Sequence, residues 1–529
     1  MRLGIDFGTT RIVVAAVDRG NYPVVSFDTT DGSVREWFPS LIAVRDGHTS
    51  YGWNAWAAQE DPAATVVRSI KRYLTGAGPQ TRVEIGSHAV PMLELLTGLC
   101  GALGDALRQS SSLHVDSGER FEIQLGVPAN ANGNQRFLTV EAFRRAGFEV
   151  LGLLNEPSAA AIEYGHALRS KQAGRPRDTI LVYDLGGGTF DASLVELEDN
   201  RHVVIASEGI PSLGGDDFDE ILADLALEAG GVSGRVRDSL NQAESFRLLD
   251  ECRARKEALN PNSRRITVEL DQVREGWQPV NVPVAAFYEK AQPLIDETVH
   301  AVQDLIAERE NQIESLYVTG GASELPLVSR ALKEAFGRRV RRSSYSQSAT
   351  AIGLAIQADA QAGYQLRDRF TRNFGVWREA EGGRVIVFDP LFLKGTPLPA
   401  AGEPPLTVTR HYYPAHNIGH FRYLECSHVT AEGRPSGEVA FWDEIFFPFH
   451  ASLRDELDLG AAAVVRYDWG PPHEIEERYQ CDAGGSVTVT ISNLTAGYER
   501  VYRLARWSAP VETVVPGKKK RARKTAAKK

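Results

Sequence analysis

The sequence predicts an α/β protein with a duplicated core, followed by an all-β unit and a basic tail. Three observations carry that reading. Residues 1 to about 365 alternate β-like apolar runs, such as LGIDFGTTRIVVAAV, FEIQLGV, TILVYDL and ESLYVTGG, with helical stretches such as 292–310 and 324–336. That alternation belongs to α/β folds. The segment GIDFGTTRIVVAAV resembles VYDLGGGTFDASLV at 182–195: each runs apolar, Asp, apolar, Gly, turn, Thr, apolar. Two copies of one β-hairpin imply a duplicated two-lobe fold with the copies facing each other. From about 370 to 510, short runs such as GRVIVFD, LTVTRHYY, EVAFWDEIFFPF and GSVTVTISNL stand between Pro and Gly turns. That pattern predicts a β-sandwich.

Composition narrows the class. The 529 residues are 43% hydrophobic and 24% charged, which supplies several domain cores. No apolar run approaches the roughly 18 residues of a membrane span. The start, MRLGIDFGTT, turns acidic at once and has no signal-like apolar region, so the expected location is cytoplasmic. Cys100, Cys252, Cys426 and Cys481 lie far apart, as expected of reduced, mostly buried thiols. Four histidines, His411, His416, His420 and His428, have no zinc-site spacing. The net charge is −10, yet the last twelve residues, KKKRARKTAAKK, carry eight positive side chains and no acid. This disordered-looking arm either contacts polyanions or is simply solvated. The expected boundaries are 1–365 for the two-lobe α/β unit, 366–380 for a linker, 381–510 for the sandwich and 511–529 for the tail.

The hairpins carry the chemistry. Glycines in a tight turn leave room for a phosphate, and backbone N–H groups there bind its oxygens. Gly8, Thr9, Thr10 and Arg11 form one such turn; Gly186, Gly187, Gly188 and Thr189 form the other. Asp6 and Asp184 end the preceding strands, placed to flank a polyphosphate and its Mg²⁺. One DxGxT string alone reads as a simple β-turn; the matched pair is what points to a clamp. A third glycine site, YVTGGASELP, with Gly320 and Gly321, follows another β run and precedes a helix, the usual ligand position in an α/β sheet.

These motifs, together with FPSLIAV, VVRSIKRYLTG, LGVPANANGNQR, LLNEPSAAAIEYG and SLGGDDFD, occur in one order over residues 1 to about 360. In that order they resemble the seventy-kilodalton heat-shock (DnaK-like) chaperones, whose ATPase domain shares the actin and sugar-kinase fold. The resemblance implies ATP and Mg²⁺ as ligands and a slow Mg²⁺-dependent ATPase. It implies that Asp6 and Asp184 hold Mg²⁺ largely through water. Lys71 would serve the γ-phosphate and attacking water, Glu156 and Asp191 would order water, and Gly214, Gly215 and Lys256 would line the nucleotide. From their own spacing, Lys71 reads as a solvated lysine and Glu156 as an acid favoured at a helix start. Pro128 and Arg136 match a segment that the family uses to sense nucleotide state.

The adenosine end departs from the pattern. In RLLDECRARKEALNP, Arg253 replaces an acid and Asn260 a serine; Glu324 replaces an arginine of the adenine site, and Arg11 an aromatic. The stretch GYQLRDRFTRNF lacks the family's leucine-rich linker, and strand-like runs stand where a helical lid would begin. The aromatic stretch EVAFWDEIFFPFHASL reads either as a peptide groove or as a sandwich core strand. The implied function is an ATP-driven chaperone that binds unfolded or extended peptide, with a J-domain co-chaperone and a nucleotide exchange factor as partners. The alternative is a nucleotide-dependent scaffold or sensor with one dedicated partner. No membrane role is expected. A small-molecule kinase of the same fold lacks its carboxylate base here.

Overall fold

The computed structural model describes residues 1–504 and 513–514, except 30–31, 62, 79–80, 170–177, 199, 233–236, 308, 310–311, 382–383, 401 and 468–472. Two sheets organise the first 367 residues. The first is built from β1 (Arg2–Phe7), β2 (Arg11–Ala16), β3 (Phe38–Pro39), β4 (Glu122–Val127) and β5 (Glu149–Asn155), in the order β5-β4-β1-β2-β3. The second contains β6 (Asp178–Leu185), β7 (Phe190–Glu198), β8 (Arg201–Ile210), β9 (Ser315–Thr319), β10 (Val340–Arg342) and β11 (Gln365–Arg367), in the order β10-β9-β6-β7-β8-β11. In each, an antiparallel hairpin (β1/β2, β6/β7) is flanked by parallel strands (β4, β9). The repeat seen in the sequence is therefore a repeat of topology.

Helices cover both sheets. They include α1 (Met92–Gln109), α2 (Gly133–Arg145), α3 (Glu156–Arg169), α4 (Gly215–Ala229), α5 (Gln242–Glu257), α6 (Val284–Ile306), α7 (Pro326–Phe336) and α8 (Ala349–Ala358). Leu95, Leu99 and Leu103 of α1 pack on Ile5 and Ile123 in the first core; Phe218 and Leu222 of α4 pack on Tyr183 and Leu194 in the second. Between the sheets lie α3 and α8, each following the outer parallel strand of its sheet. Both are rich in small residues, so their backbones touch. A Cβ on Gly353 would stand 1.8 Å from the Ala159 carbonyl oxygen.

The region after 370 is the expected sandwich. One sheet runs β13-β12-β15-β16, from β12 (Asn373–Ala380), β13 (Val385–Phe392), β15 (Ile418–Val429) and β16 (Pro435–Pro448). The other runs β14-β17-β18-β19, from β14 (Leu406–Tyr412), β17 (Ile475–Cys481), β18 (Val487–Asn493) and β19 (Tyr498–Arg503). Phe374, Tyr423, Trp442 and Phe447 of the first meet Tyr479, Val489 and Ile491 of the second. Of the two readings of the aromatic stretch, the core strand holds for Trp442 and Phe447, both buried.

The stretch 366–380 is not a free linker. Gln365–Arg367 pairs in parallel with Arg201–Val203, and Asn373–Ala380 is already a sandwich strand. The connection is thus 368–372. The sequence obscures this because QLR is too short and polar to read as a strand. All four cysteines are buried and free. Of the tail, only Thr513–Val514 is described, paired with Arg82 and Val83; the remainder of 511–529 lies outside the described residues. Among the described residues, no helix is long and apolar enough to cross a membrane.

The sandwich docks on the start of α2. The Gly133 N–H donates to Glu425 (2.9 Å), and the Trp442 ring lies where a Gly133 Cβ would be. Arg369 of the connection donates to the Val204 and Gly395 carbonyls at 2.6 and 2.8 Å, and Lys394 pairs with Glu208 at 3.0 Å.

The backbone contact between α3 and α8 generates a prediction. Gly353→Val should cost about 3 kcal/mol or more, because the clash is with backbone rather than a movable side chain. Urea unfolding followed by tryptophan fluorescence would show it as a lower midpoint; an unchanged midpoint would refute the packing argument.

Candidate functional site

The two hairpin turns meet. A Cβ on Gly187 would lie 3.1 Å from Thr10 Oγ1, and one on Gly188 would lie 2.7 Å from Thr9 Oγ1. The opposing turn requires glycine at 187 and 188, since neither adopts positive φ, whereas a Cβ on Gly186 would meet only the Thr189 carbonyl at 3.6 Å. The Gly186 and Gly187 carbonyls accept from the Gly215 and Asp216 N–H groups at 2.9 and 2.8 Å. This fastens the SLGGDDFD segment, and with it the N-terminus of α4, to the turn. Gly320 does adopt φ +86°, and its Cβ would stand 2.4 Å from Asp184 Oδ1. A cavity of about 330 Å³ opens between these elements, lined by both hairpins, α4, α5 and the Gly320 turn. A larger cavity, about 720 Å³, lies between α2 and the sandwich, away from these groups.

Charge is concentrated at one end. Lys71 Nζ donates to Glu156 Oε1 at 2.7 Å, and both are buried. Burial opposes the lysine's charge, but Glu156 and Asp6 outweigh it and raise its pKa. Around this pair stand Asp6, Asp184 and Asp191. Burial, then repulsion from Glu156, pushes Asp6 and Asp191 each up to about 7, and Asp184 is raised by the same causes together with Asp6 and Asp191. Asp191 is held by the Asn130 N–H and the Thr189 hydroxyl. Lys71 sits in a short 3₁₀ turn, Ile70–Gly76, entered through Ser69 at φ 59°, a left-handed conformation that serine adopts at some cost. Its flanks are anchored: Arg68 pairs with Asp216 (2.8 Å) and Asp219 (2.7 Å), and Arg72 pairs with Asp217 (3.0 Å).

Most of the expected residues line this cavity: Asp6, Gly8, Thr9, Thr10, Arg11, Lys71, Glu156, Asp184, Gly186, Gly187, Thr189, Gly215, Lys256, Gly320, Gly321 and Glu324. Gly188, Gly214 and Asp191 stand behind the lining; a Cβ on Gly214 would reach the Gly188 nitrogen at 2.6 Å. Asn260 does not reach the cavity. It is exposed and caps its own turn, accepting from the Asn262 N–H at 3.0 Å. Lys256 is engaged with Asp219 and the Gly215 carbonyl, each at 2.6 Å. Sequence reasoning missed Arg68, Asp216, Asp219, Glu257 and Gln347. The first three sit inside motifs already singled out, VVRSIKRYLTG and SLGGDDFD, whose opposite charges are the available signal. Gln347 lies in a loop without any motif.

Facing glycine turns, a buried lysine–carboxylate pair and converging helix N-termini define a nucleotide-phosphate site. Comparison with known proteins agrees. The Hsp70 protein family matches residues 121–371. The chaperone protein HscA of Escherichia fergusonii (strain ATCC 35469) and that of Escherichia coli O6:H1 (strain CFT073) are each 35% identical over 378 residues, 68% of this chain and 58% of theirs. The chain is thus similar to Hsp70 proteins as a divergent relative, and it spans less than two thirds of the length of these relatives. Members of that family are ATPases.

The raised carboxylates set a pH dependence. An aspartate with a folded pKa near 7 and an unfolded value near 4 binds more protons folded than unfolded between those values. Stability of the ligand-free protein therefore falls as pH rises from about 4 to about 7. Asp6→Asn should flatten that slope; thermal melts of both proteins across this range would check it, and identical slopes would refute it.

Proposed function

We propose that this chain is a Hsp70-type chaperone that binds and slowly hydrolyses a Mg²⁺-bound nucleoside triphosphate, ATP in the first instance, between two lobes of an actin-like fold. The nucleotide state is passed to a β-sandwich that holds extended peptide. The contact of the two glycine turns around the Lys71–Glu156 pair carries this reading. The turns surround a polyphosphate from both sides, with Thr9, Thr10 and Thr189 as hydroxyl donors. Lys71 places a fixed positive charge at the terminal phosphate and the attacking water, which Glu156 and Asp191 orient. Such a reaction needs positioning and charge neutralisation rather than a covalent nucleophile.

The donor set fits Mg²⁺. Four buried or half-buried carboxylates face one lysine, and the excess negative charge favours a divalent cation. Among the described residues no three His, Cys, Asp or Glu side chains converge as direct metal ligands. That favours attachment of Asp6 and Asp184 through retained water, in keeping with the reluctance of Mg²⁺ to dehydrate. When bound, Mg²⁺ would neutralise phosphate charge.

Two further features support coupling and client binding. Asn155, next to Glu156, donates to Asp368 (2.7 Å) and accepts from Arg136 (2.8 Å), so the cavity and the connection to the sandwich share one strand end. Edge strand β13 exposes Val385, Ile386 and Val387, a template for pairing with an extended peptide. A J-domain co-chaperone and an exchange factor are the proposed partners, in the cytoplasm.

Lys71→Ala and Asp184→Asn should each slow single-turnover ATP hydrolysis by about 100-fold or more, the scale of lost transition-state electrostatics; equal rates in all three proteins would sink the assignment. Glu425→Ala leaves the Gly133 N–H without its buried acceptor. It should shrink the nucleotide-dependent change in peptide affinity several-fold, by roughly 1–2 kcal/mol of coupling, at near-normal hydrolysis. Fluorescence anisotropy of a labelled apolar peptide with and without ATP reads this, and undiminished coupling would exclude the route.

A further inference from the structure

The cavity wall remote from Lys71 has a chemistry of its own. Five side chains form one chain of contacts there. Arg11 pairs with Glu257 (Nη2 to Oε2, 2.5 Å) and donates to Gln347 Oε1 at 3.1 Å; Gln347 Nε2 donates to Glu324 Oε2 at 3.3 Å. Ser346 Oγ completes it with a 2.5 Å bond to Glu324 Oε1. All of them line the same cavity as the glycine turns. Arg11 comes from the first hairpin and is braced on the Trp37 ring at 5.0 Å; the other groups come from the second half. The wall thus offers two carboxylates, one amide and one guanidinium, with Glu257 and Glu324 still partly exposed.

Resting on the phosphate reading above, we infer that the Glu257–Arg11–Gln347–Glu324 array reads the base, and that the site takes guanine as well as adenine nucleoside triphosphates. The argument is one of donor and acceptor count. A carboxylate only accepts, and its two oxygens have about four lone-pair positions, so Glu324 and Glu257 keep capacity beyond their present partners. Guanine presents adjacent N1–H and N2–H donors that match a carboxylate, and O6 and N7 acceptors that match arginine. Adenine presents an N6 donor beside N7, the pattern an amide reads, and a carboxylate also accepts from N6–H. The Gln347 amide is held between Arg11 and Glu324, and its second lone pair and second N–H remain to contact either base. A wall with a cation stacked on the ring would lack the acceptors that guanine needs. This one has acceptors and donors together, without a fixed pattern that rejects either purine.

Calorimetry on the full chain with Mg²⁺ tests this, using inorganic tripolyphosphate, AMP-PNP and GMP-PNP as probes. The expected result is affinity for GMP-PNP within about tenfold of that for AMP-PNP, less than the discrimination of one good bidentate base contact. Glu324→Ala should weaken GMP-PNP by about fivefold or more, the cost of one hydrogen bond to a charged group, and tripolyphosphate by less than about twofold. Binding of tripolyphosphate and AMP-PNP with GMP-PNP more than about tenfold weaker would overturn the base reading and leave the phosphate site standing. An unchanged GMP-PNP affinity in Glu324→Ala would overturn it too. Failure of all three probes would overturn both readings at once.

Discussion

The separation of the two sheets is the constraint on which the rest depends, and backbone sets it. At the crossing of α3 and α8, Gly353 rests on the Ala159 peptide, and α8 also lies on β1 at Gly4, where a Cβ would be 2.2 Å from the Ala355 nitrogen. Contacts between main chains leave no side chain to yield, so they fix distance more sharply than an interdigitated apolar interface. That distance brings Thr9 and Thr10 against Gly188 and Gly187. Had the helices been spaced by leucines, the turns would part by several ångströms and enclose no phosphate-sized space.

With the turns fixed, the balance of charge between them follows. One lysine faces Glu156, Asp6, Asp184 and Asp191 in a setting poor in water. A buried pair such as Lys71–Glu156 is held less by its own attraction, offset by desolvation, than by the cost of leaving either partner alone. The carboxylates beyond that pair have no such partner, and their raised pKa values express it. The protein alone is thus electrostatically incomplete at neutral pH. A cation bound with a polyphosphate would remove that penalty and so add to the stability of the site.

The phosphate end was legible in the sequence because its requirements are local. A turn that must clear an opposing turn demands glycine, a strand ending at it demands Asp, and both survive as short strings. Asn260 failed because its place was inferred from alignment with a helix, whereas its own side chain prefers to close the turn that ends it. The Arg11–Gln347–Glu324 chain could not be read, since Arg11 stands more than 300 residues before the other two and Gln347 belongs to no periodic element. The sandwich was visible through its alternation, but its docking was not: Glu425 and Trp442 look like ordinary strand residues until Gly133 is placed beside them. Edge strand β11 was misjudged for a related reason, because three residues paired on one side carry almost no hydrophobic signature.

The connection between the two regions is fastened without a leucine-rich run. A leucine-rich segment would adhere to a sheet edge by burial. Here Gln365–Arg367 adheres by ladder hydrogen bonds to Arg201–Val203, and Arg369 then spans from the Val204 carbonyl to the Gly395 carbonyl. Both devices are directional, and Leu366 adds apolar burial beside them. At the other end of the connection, Asp368 meets Asn155, whose neighbour Glu156 carries the lysine contact. Adjacent residues at a strand–helix junction cannot shift independently. Any movement of the α3 N-terminus that loosens Glu156 from Lys71 must therefore also strain the bond from Asn155 to Asp368, while Phe370 of the connection stays stacked on Phe392 of the sandwich.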